Sequence, residues 1–248
     1  MLFHQDLKGA DLPPRTLCLT YDDGPGPETL ELGQYLYDEG IRAAFFIVGR
    51  HAEGQIDVLR RLRAWRHVLG NHTYTHPGLV ALAEAGGDVV GEISRTDALL
   101  RPHVEPPIFF RAPYGNWRQK QPGLDEDSDS SIVADVLNRS GRFDDCLGPI
   151  NWDISAADYD FWKRGASAEE CAAAYLAKID RVGRGIVLMH DSSEDPEVRP
   201  CNRAYETTRR IVPALKEGGY RFVGLDEVPQ IRAALSWAGA SACSGHAP

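Results

Sequence analysis

Short apolar runs bounded by turn residues recur along this chain, at "TLCLTY" (16–21), "AAFFIVG" (43–49), "HVLGN" (67–71), "IFFRAPY" (108–114), "GPINWDI" (148–154), "GIVLMH" (185–190) and "YRFVGL" (220–225). Continuous runs of this length, rich in branched and aromatic side chains, read as strands buried on both faces. Between most of them lie stretches with helical periodicity. "PETLELGQYLYDEGI" opens with Pro-Glu, a helix-start signal, and its period brings Leu30, Leu36 and Tyr37 near one face. "DVLRRLRAW", "VVGEISRTDALLR", "AEECAAAYLAKIDRVG" and "RAYETTRRIVPALKEGGY" carry the same rhythm. Strands alternating with helices specify βα units around a parallel sheet. About seven such units in 248 residues suit a closed or nearly closed α/β barrel better than an open sheet. One domain over 16–235 is expected, after an extension at 1–15. An acidic, Ser- and Pro-bearing inserted loop is expected at 116–131, and a frayed tail at 236–248.

Composition adds bounds. With 43% hydrophobic residues, a chain of this length buries a large core. A net charge of −9 argues against nucleic acid as a partner, because binding a phosphate backbone needs a basic face. No apolar run approaches the ~20 residues that cross a bilayer, so no integral membrane segment is expected. The N-terminus lacks a basic start followed by an apolar core; the chain as it stands reads as cytoplasmic, as would a secreted chain trimmed of its leader. Five cysteines without a C-x-x-C pair fit free thiols in a reducing compartment.

The chemically suggestive clusters all fall where strands end, the edge at which parallel α/β folds build their sites. Asp22 and Asp23 follow one another at the end of the first run. Successive strand residues point to opposite faces, so they serve one site only if the backbone leaves the strand there, a bend that Gly24 and Pro25 allow. The alternative is a solvated turn. His72 and His76 have the i, i+4 spacing that lets two imidazoles meet one ion from a helical turn, although Pro77 pushes His76 toward extended geometry; alone, the pair is as well read as coincidence. Arg111 leaves an apolar strand and needs a carboxylate, which an ordinary interior ion pair would also supply. His190 reads equally as a satisfied core histidine, and Asp191 as a cap. His4, His51, His67, His103 and His246 stand outside these clusters and are given no chemistry.

Taken together and in order, "TYDDGP" (20–25), "HTYTH" (72–76), "RAPYG" (111–115), "DISAADY" (153–159) and "LMH" (188–190) resemble the five motifs of the polysaccharide deacetylases with a NodB homology domain, carbohydrate esterase family 4. The resemblance runs from about Thr16 to about Val228. It implies a distorted (β/α) barrel of seven or eight strands and a divalent metal, most often Zn2+, with Co2+, Ni2+ or Mn2+ as alternatives. It also implies that Asp23, His72 and His76 are the metal ligands, Asp22 the catalytic base and His190 the acid. Arg111 would orient Asp22, and Asp158 would hold His190. Tyr114, Leu188 and Tyr159 would face the substrate, Leu188 in the pocket for the acetyl methyl. The implied partner is an acetylated carbohydrate; oligomeric state is not implied.

The resemblance is not complete. Tyr159 stands where the family usually has tryptophan, Ser155 where many members carry an acid, and Ala112 where proline is frequent. None of these removes a proposed catalytic atom, but they alter the groove that grips sugar. Trp117, Trp152 and Trp162 are candidates either for stacking on sugar or for packing. Four readings follow: an N-deacetylase of N-acetylglucosamine units in a chitin-like oligosaccharide or cell-wall glycan, an O-acetyl esterase on xylan, a small-amide hydrolase on the same fold, and a catalytically silent glycan-binding protein.

Overall fold

The computed structural model describes residues 2–120 and 129–243, with 237–243 described by backbone alone. In chain order it opens with β1 (Leu2–Leu7), β2 (Thr16–Gly24), α1 (Thr29–Asp38), β3 (Ala44–Ile47), the one-turn α2 (Gly49–Ala52), α3 (Ile56–Ala64) and β4 (Val68–Asn71). Then come α4 (Leu79–Glu84), α5 (Val89–Leu100), β5 (Ile108–Phe110), α6 (Ile132–Arg139), β6 (Cys146–Ile150) and β7 (Ile154–Ser155). The chain ends with α7 (Asp158–Lys163), α8 (Ala168–Val182), β8 (Gly185–His190), α9 (Ala204–Glu217), β9 (Arg221–Phe222) and α10 (Pro229–Cys243).

Among the described residues every strand pairing is parallel, in the order β1-β6-β5-β4-β3-β2-β8-β7, with β9 beside the start of β2. The path ends at β1 and β7, which do not pair, so the sheet curls into a barrel that stays open along one side. This split is where the structure departs from the pattern reading. "GPINWDI" is not one strand: β6 stops at Ile150, and Asn151–Asp153 carry the chain across the opening to β7, which joins β8 instead. Asp153 sits in the gap, its Oδ2 accepting from the N–H groups of Gly9 and Ile186 at 2.8 Å each.

The expected extension at 1–15 contains β1, which pairs with β6 and widens the sheet. The expected tail is helical as far as Cys243. Of the inserted loop expected at 116–131, residues 121–128 lie outside the described residues, and its first residues are packed: Trp117 is buried and its Nε1 donates to Phe3 O.

Alternation along the strands sorts side chains into two cores. Cys18, Ala44, Phe46, Val68, Phe109, Leu147 and Ile186 fill the barrel, and Leu225, Val228 and Ile231 close its lower end. Leu17, Leu19, Tyr21, Phe45 and Leu69 face outward against the helices. In α1 the buried stripe is Thr29, Leu32, Gly33 and Leu36, while Leu30 and Tyr37 are exposed. The face expected from sequence was therefore rotated: the i, i+3, i+4, i+7 set that counts here includes a threonine and a glycine. Gly33 belongs because a Cβ there would come within 2.5 Å of Leu62 on α3.

Candidate active site

The interior face of β2 runs Cys18, Thr20, Asp22, so Asp22 looks into the barrel mouth as an ordinary strand residue, opposite His190 of β8. Asp23 would point outward. Instead the register with β3 slips between Asp22 and Gly24, and Asp23 takes φ +73°, turning a second carboxylate into the same cavity. Among the described residues seven non-glycines have left-handed φ, and five of them, Asp23, Thr73, His76, Tyr114 and Ala157, stand in or beside this mouth. Such backbone is disfavoured unless its surroundings hold it, and it gathers at functional sites.

His72 and His76 are not on a helix, as their spacing suggested; they come from an irregular turn with Thr73 at φ +68° and His76 at φ +60°. Its supports are side chains. Asn71 Oδ1 accepts from Thr73 N–H at 2.8 Å, and Glu92 of α5 accepts from the N–H groups of Tyr74 and Thr75 at 3.1 and 2.7 Å. His72 Nδ1 lies 2.9 Å from Arg111 O; a carbonyl only accepts, so Nδ1 carries the proton and Nε2 keeps its lone pair. His76 Nδ1 meets the Tyr114 hydroxyl at 3.2 Å.

Asp23 Oδ1 lies 3.5 Å from His72 Nε2 and 3.1 Å from His76 Nε2, yet this buried oxygen has no hydrogen-bond partner among the described residues. Burial pushes the His72 pKa down to about 4, partly offset by Asp22, keeping the ring neutral. Burial opposes ionisation of Asp23, but the three nearby imidazoles outweigh it and hold the carboxyl well below its usual range. An orphaned carboxylate oxygen and two imidazoles, all within 4.8 Å of one another, fit a divalent cation.

Arg111 is fully buried. Its Nη1 donates to Asp22 Oδ1 at 2.7 Å and to Thr20 Oγ1 at 2.9 Å, its Nε to Ile150 O at 3.0 Å, and the guanidinium lies 4.1 Å from the centre of the Phe46 ring. Across the cavity, Asp158 at the start of α7 accepts from His190 Nδ1 at 2.7 Å and from its backbone N–H at 2.8 Å. Burial works against a charged His190, but Asp158, with Asp23 and Asp22 behind it, raises its pKa to about 10. Between these groups lies a cavity of about 500 Å³, whose walls include Leu188, Tyr114, Tyr159 and Trp152. Tyr114 and Tyr159 are exposed. Of the three tryptophans, only Trp152 lines this space; Trp117 and Trp162 are packing.

The structure thus brings all ten site residues singled out from sequence to one rim. Three more residues stand beside this rim: His51 and Glu194, to which the sequence assigned no chemistry, and Asp191, read there only as a cap. His51 lies with Nδ1 2.7 Å from Asp23 O. Glu194 forms part of the cavity wall, beside His51 and Arg50. Asp191 is buried under the Asp22–Gly24 turn and accepts from the Thr29 hydroxyl; burial, partly offset by Thr29 and reinforced by Asp23, pushes its carboxyl up to about 7. No local motif marks these residues; only the packing of α2 and of the segment after β8 does.

A parallel barrel with two imidazoles and a carboxylate poised for one ion, flanked by a second carboxylate and a histidine, has the site of a metal-dependent hydrolase. Residues 9–125 match the polysaccharide deacetylase family. Over 233 residues, 91% of this chain and 94% of the other, it is 31% identical to the chitooligosaccharide deacetylase of Rhizobium leguminosarum bv. trifolii. The chain belongs to the polysaccharide deacetylase family. It is also 29% identical over 216 residues to a peptidoglycan-N-acetylglucosamine deacetylase of Bacillus cereus, covering 86% of this chain and 68% of that one. The solved structure of the chitin deacetylase of Colletotrichum lindemuthianum superposes with a TM-score of 0.65 at 26% identity, covering 92% and 91% of the two chains.

Proposed function

We propose that this protein hydrolyses the acetamide of N-acetylglucosamine units in a chitin-like oligosaccharide or cell-wall glycan, releasing acetate and leaving a free amine. The observation that carries the reading is the meeting, in one cavity, of the Asp23, His72 and His76 donors with two differently partnered proton-transfer groups, Asp22 and His190. Relatives that act on chitooligosaccharides and peptidoglycan support the substrate class.

Asp23, His72 and His76 would hold the divalent ion, most simply zinc, which when bound supplies Lewis acidity at the scissile carbonyl and its attacking water. Asp22 takes a proton from that water. Arg111 fixes one Asp22 oxygen, leaving Oδ2, 3.6 Å from His72 Nε2, to face the site. The leaving amine needs a proton, and His190 holds one: with Nδ1 committed to Asp158, its Nε2–H is the group that donates into the cavity. Leu188, one strand pair below His190 on the same face, offers an apolar floor for the acetyl methyl. Tyr114, Tyr159 and Trp152 present ring surface to the sugar.

The test is acetate release, with kcat/KM compared between N-acetylglucosamine oligomers and acetylated xylan. Preference for the oligomers is expected; preference for xylan would reassign the chain to O-acetyl esters. Glycan binding without acetate release from either would make it a silent binding protein.

A further inference from the structure

The two turns that carry Asp23 and the histidines leave from β2 and β4, each paired with β3 between them, and beyond the strand ends the ladder no longer holds them together. The segment after β3 spans the gap. Val48 N–H donates to Gly24 O at 2.9 Å, Gly49 N–H to Thr73 O at 2.9 Å and Arg50 N–H to Tyr74 O at 3.1 Å. Gly49 has no room for a side chain: a Cβ would fall 2.3 Å from Thr96 Oγ1 and 2.6 Å from the Tyr74 ring. On this one-turn helix His51 is 7% exposed. Its Nδ1 reaches Asp23 O at 2.7 Å, and its Nε2 lies 3.1 Å from Glu194 Oε1 on the cavity wall.

From this geometry we infer that His51 is a positioning residue for the metal ligand Asp23, an inference that rests on the metal reading above. The Asp23 carbonyl belongs to a left-handed residue at the point where the register with β3 slips, and without the His51 donor the peptide is free to relax to negative φ, which swings the carboxylate away from His72 and His76. His51 supplies that donor through Nδ1–H. It does so from a helix already bonded to the histidine turn, so the two halves of the ligand set are held in one frame. Outer groups that orient metal ligands in this way change metal affinity as well as rate.

The experiment measures zinc affinity by competition with a chromogenic chelator, for the parent chain and for His51→Leu, His51→Asn and His51→Gln. The asparagine amide nitrogen falls where Nδ1 lies, whereas the glutamine amide reaches the Nε2 position. Zinc binding is therefore expected to weaken on the order of tenfold or more in His51→Leu and His51→Gln and to be largely kept in His51→Asn. Near-ultraviolet circular dichroism of the zinc-free proteins checks that each is folded; if the leucine variant is not, the glutamine and asparagine pair carries the comparison. Equal zinc affinity in all four proteins, or equal loss in asparagine and glutamine, overturns the role of His51 and leaves the metal reading intact. A parent chain that binds no zinc overturns both.

Discussion

Asp22 and Asp23 are neighbours in sequence with divergent tasks because one keeps the strand's backbone and the other abandons it. Asp22 spends an oxygen on Arg111; Asp23 keeps Oδ1 unpartnered. The consequence is separable by mutation. Asp22→Asn should lower kcat by about two to four orders of magnitude, the usual contribution of a positioned base, while zinc affinity measured by competition stays at the parent level. His72→Ala should lose both. Loss of zinc in Asp22→Asn would contradict the division. For His190 the sign follows from its partner: Asp158 favours the protonated ring, so removing that charge lowers the pKa. In Asp158→Asn the rate should therefore begin to fall at lower pH on the alkaline side, since the acid loses its proton sooner. An unchanged alkaline limb would show that His190 is not the titrating acid.

Strands and most of the longer helices were legible as periodicity, and the placement of chemistry at strand ends followed from the parallel order. Three features were not. The break between β6 and β7 depends on which neighbour each strand finds, and "GPINWDI" carries no sign of it. The buried face of α1 leaves no apolar period because its packing stripe includes Thr29 and Gly33, the latter valued for the close approach of Leu62. The histidine turn looked helical by spacing, but Asn71, Glu92 and two left-handed residues shape it, and side-chain supports from other elements leave no periodic trace. Gly70 of β4 shows how an interior element reaches the chemistry. A Cβ there would come within 2.5 Å of the Phe46 ring, the ring against which Arg111 packs. Gly70→Ala should cost roughly 1–3 kcal/mol by overpacking, read as a lower thermal midpoint, and should reduce kcat by disturbing Asp22. A variant as stable and as active as the parent would show that Phe46 yields without cost.

At the scale of the molecule, the open side of the barrel lies between β7 and the β1–β6 edge, and the segment bridging it delivers Trp152 to the cavity. The same rim gathers Asp22, Asp23, Asp158 and Asp191 around a few imidazoles and one guanidinium, an excess of carboxylate that a divalent cation would relieve. Metal binding to the folded chain alone therefore stabilises it: zinc at a hundred times its dissociation constant adds about 2.7 kcal/mol, roughly 5–10 °C in thermal midpoint for a chain of this size. A midpoint that does not move with zinc would argue against the site. The most direct test of the whole account is acetate release from N-acetylglucosamine oligomers by protein stripped with chelator, repeated after one equivalent of zinc. The account predicts release that vanishes on stripping and returns with the metal. Release that persists undiminished in verified metal-free protein, or that no divalent ion restores although one binds, would contradict it.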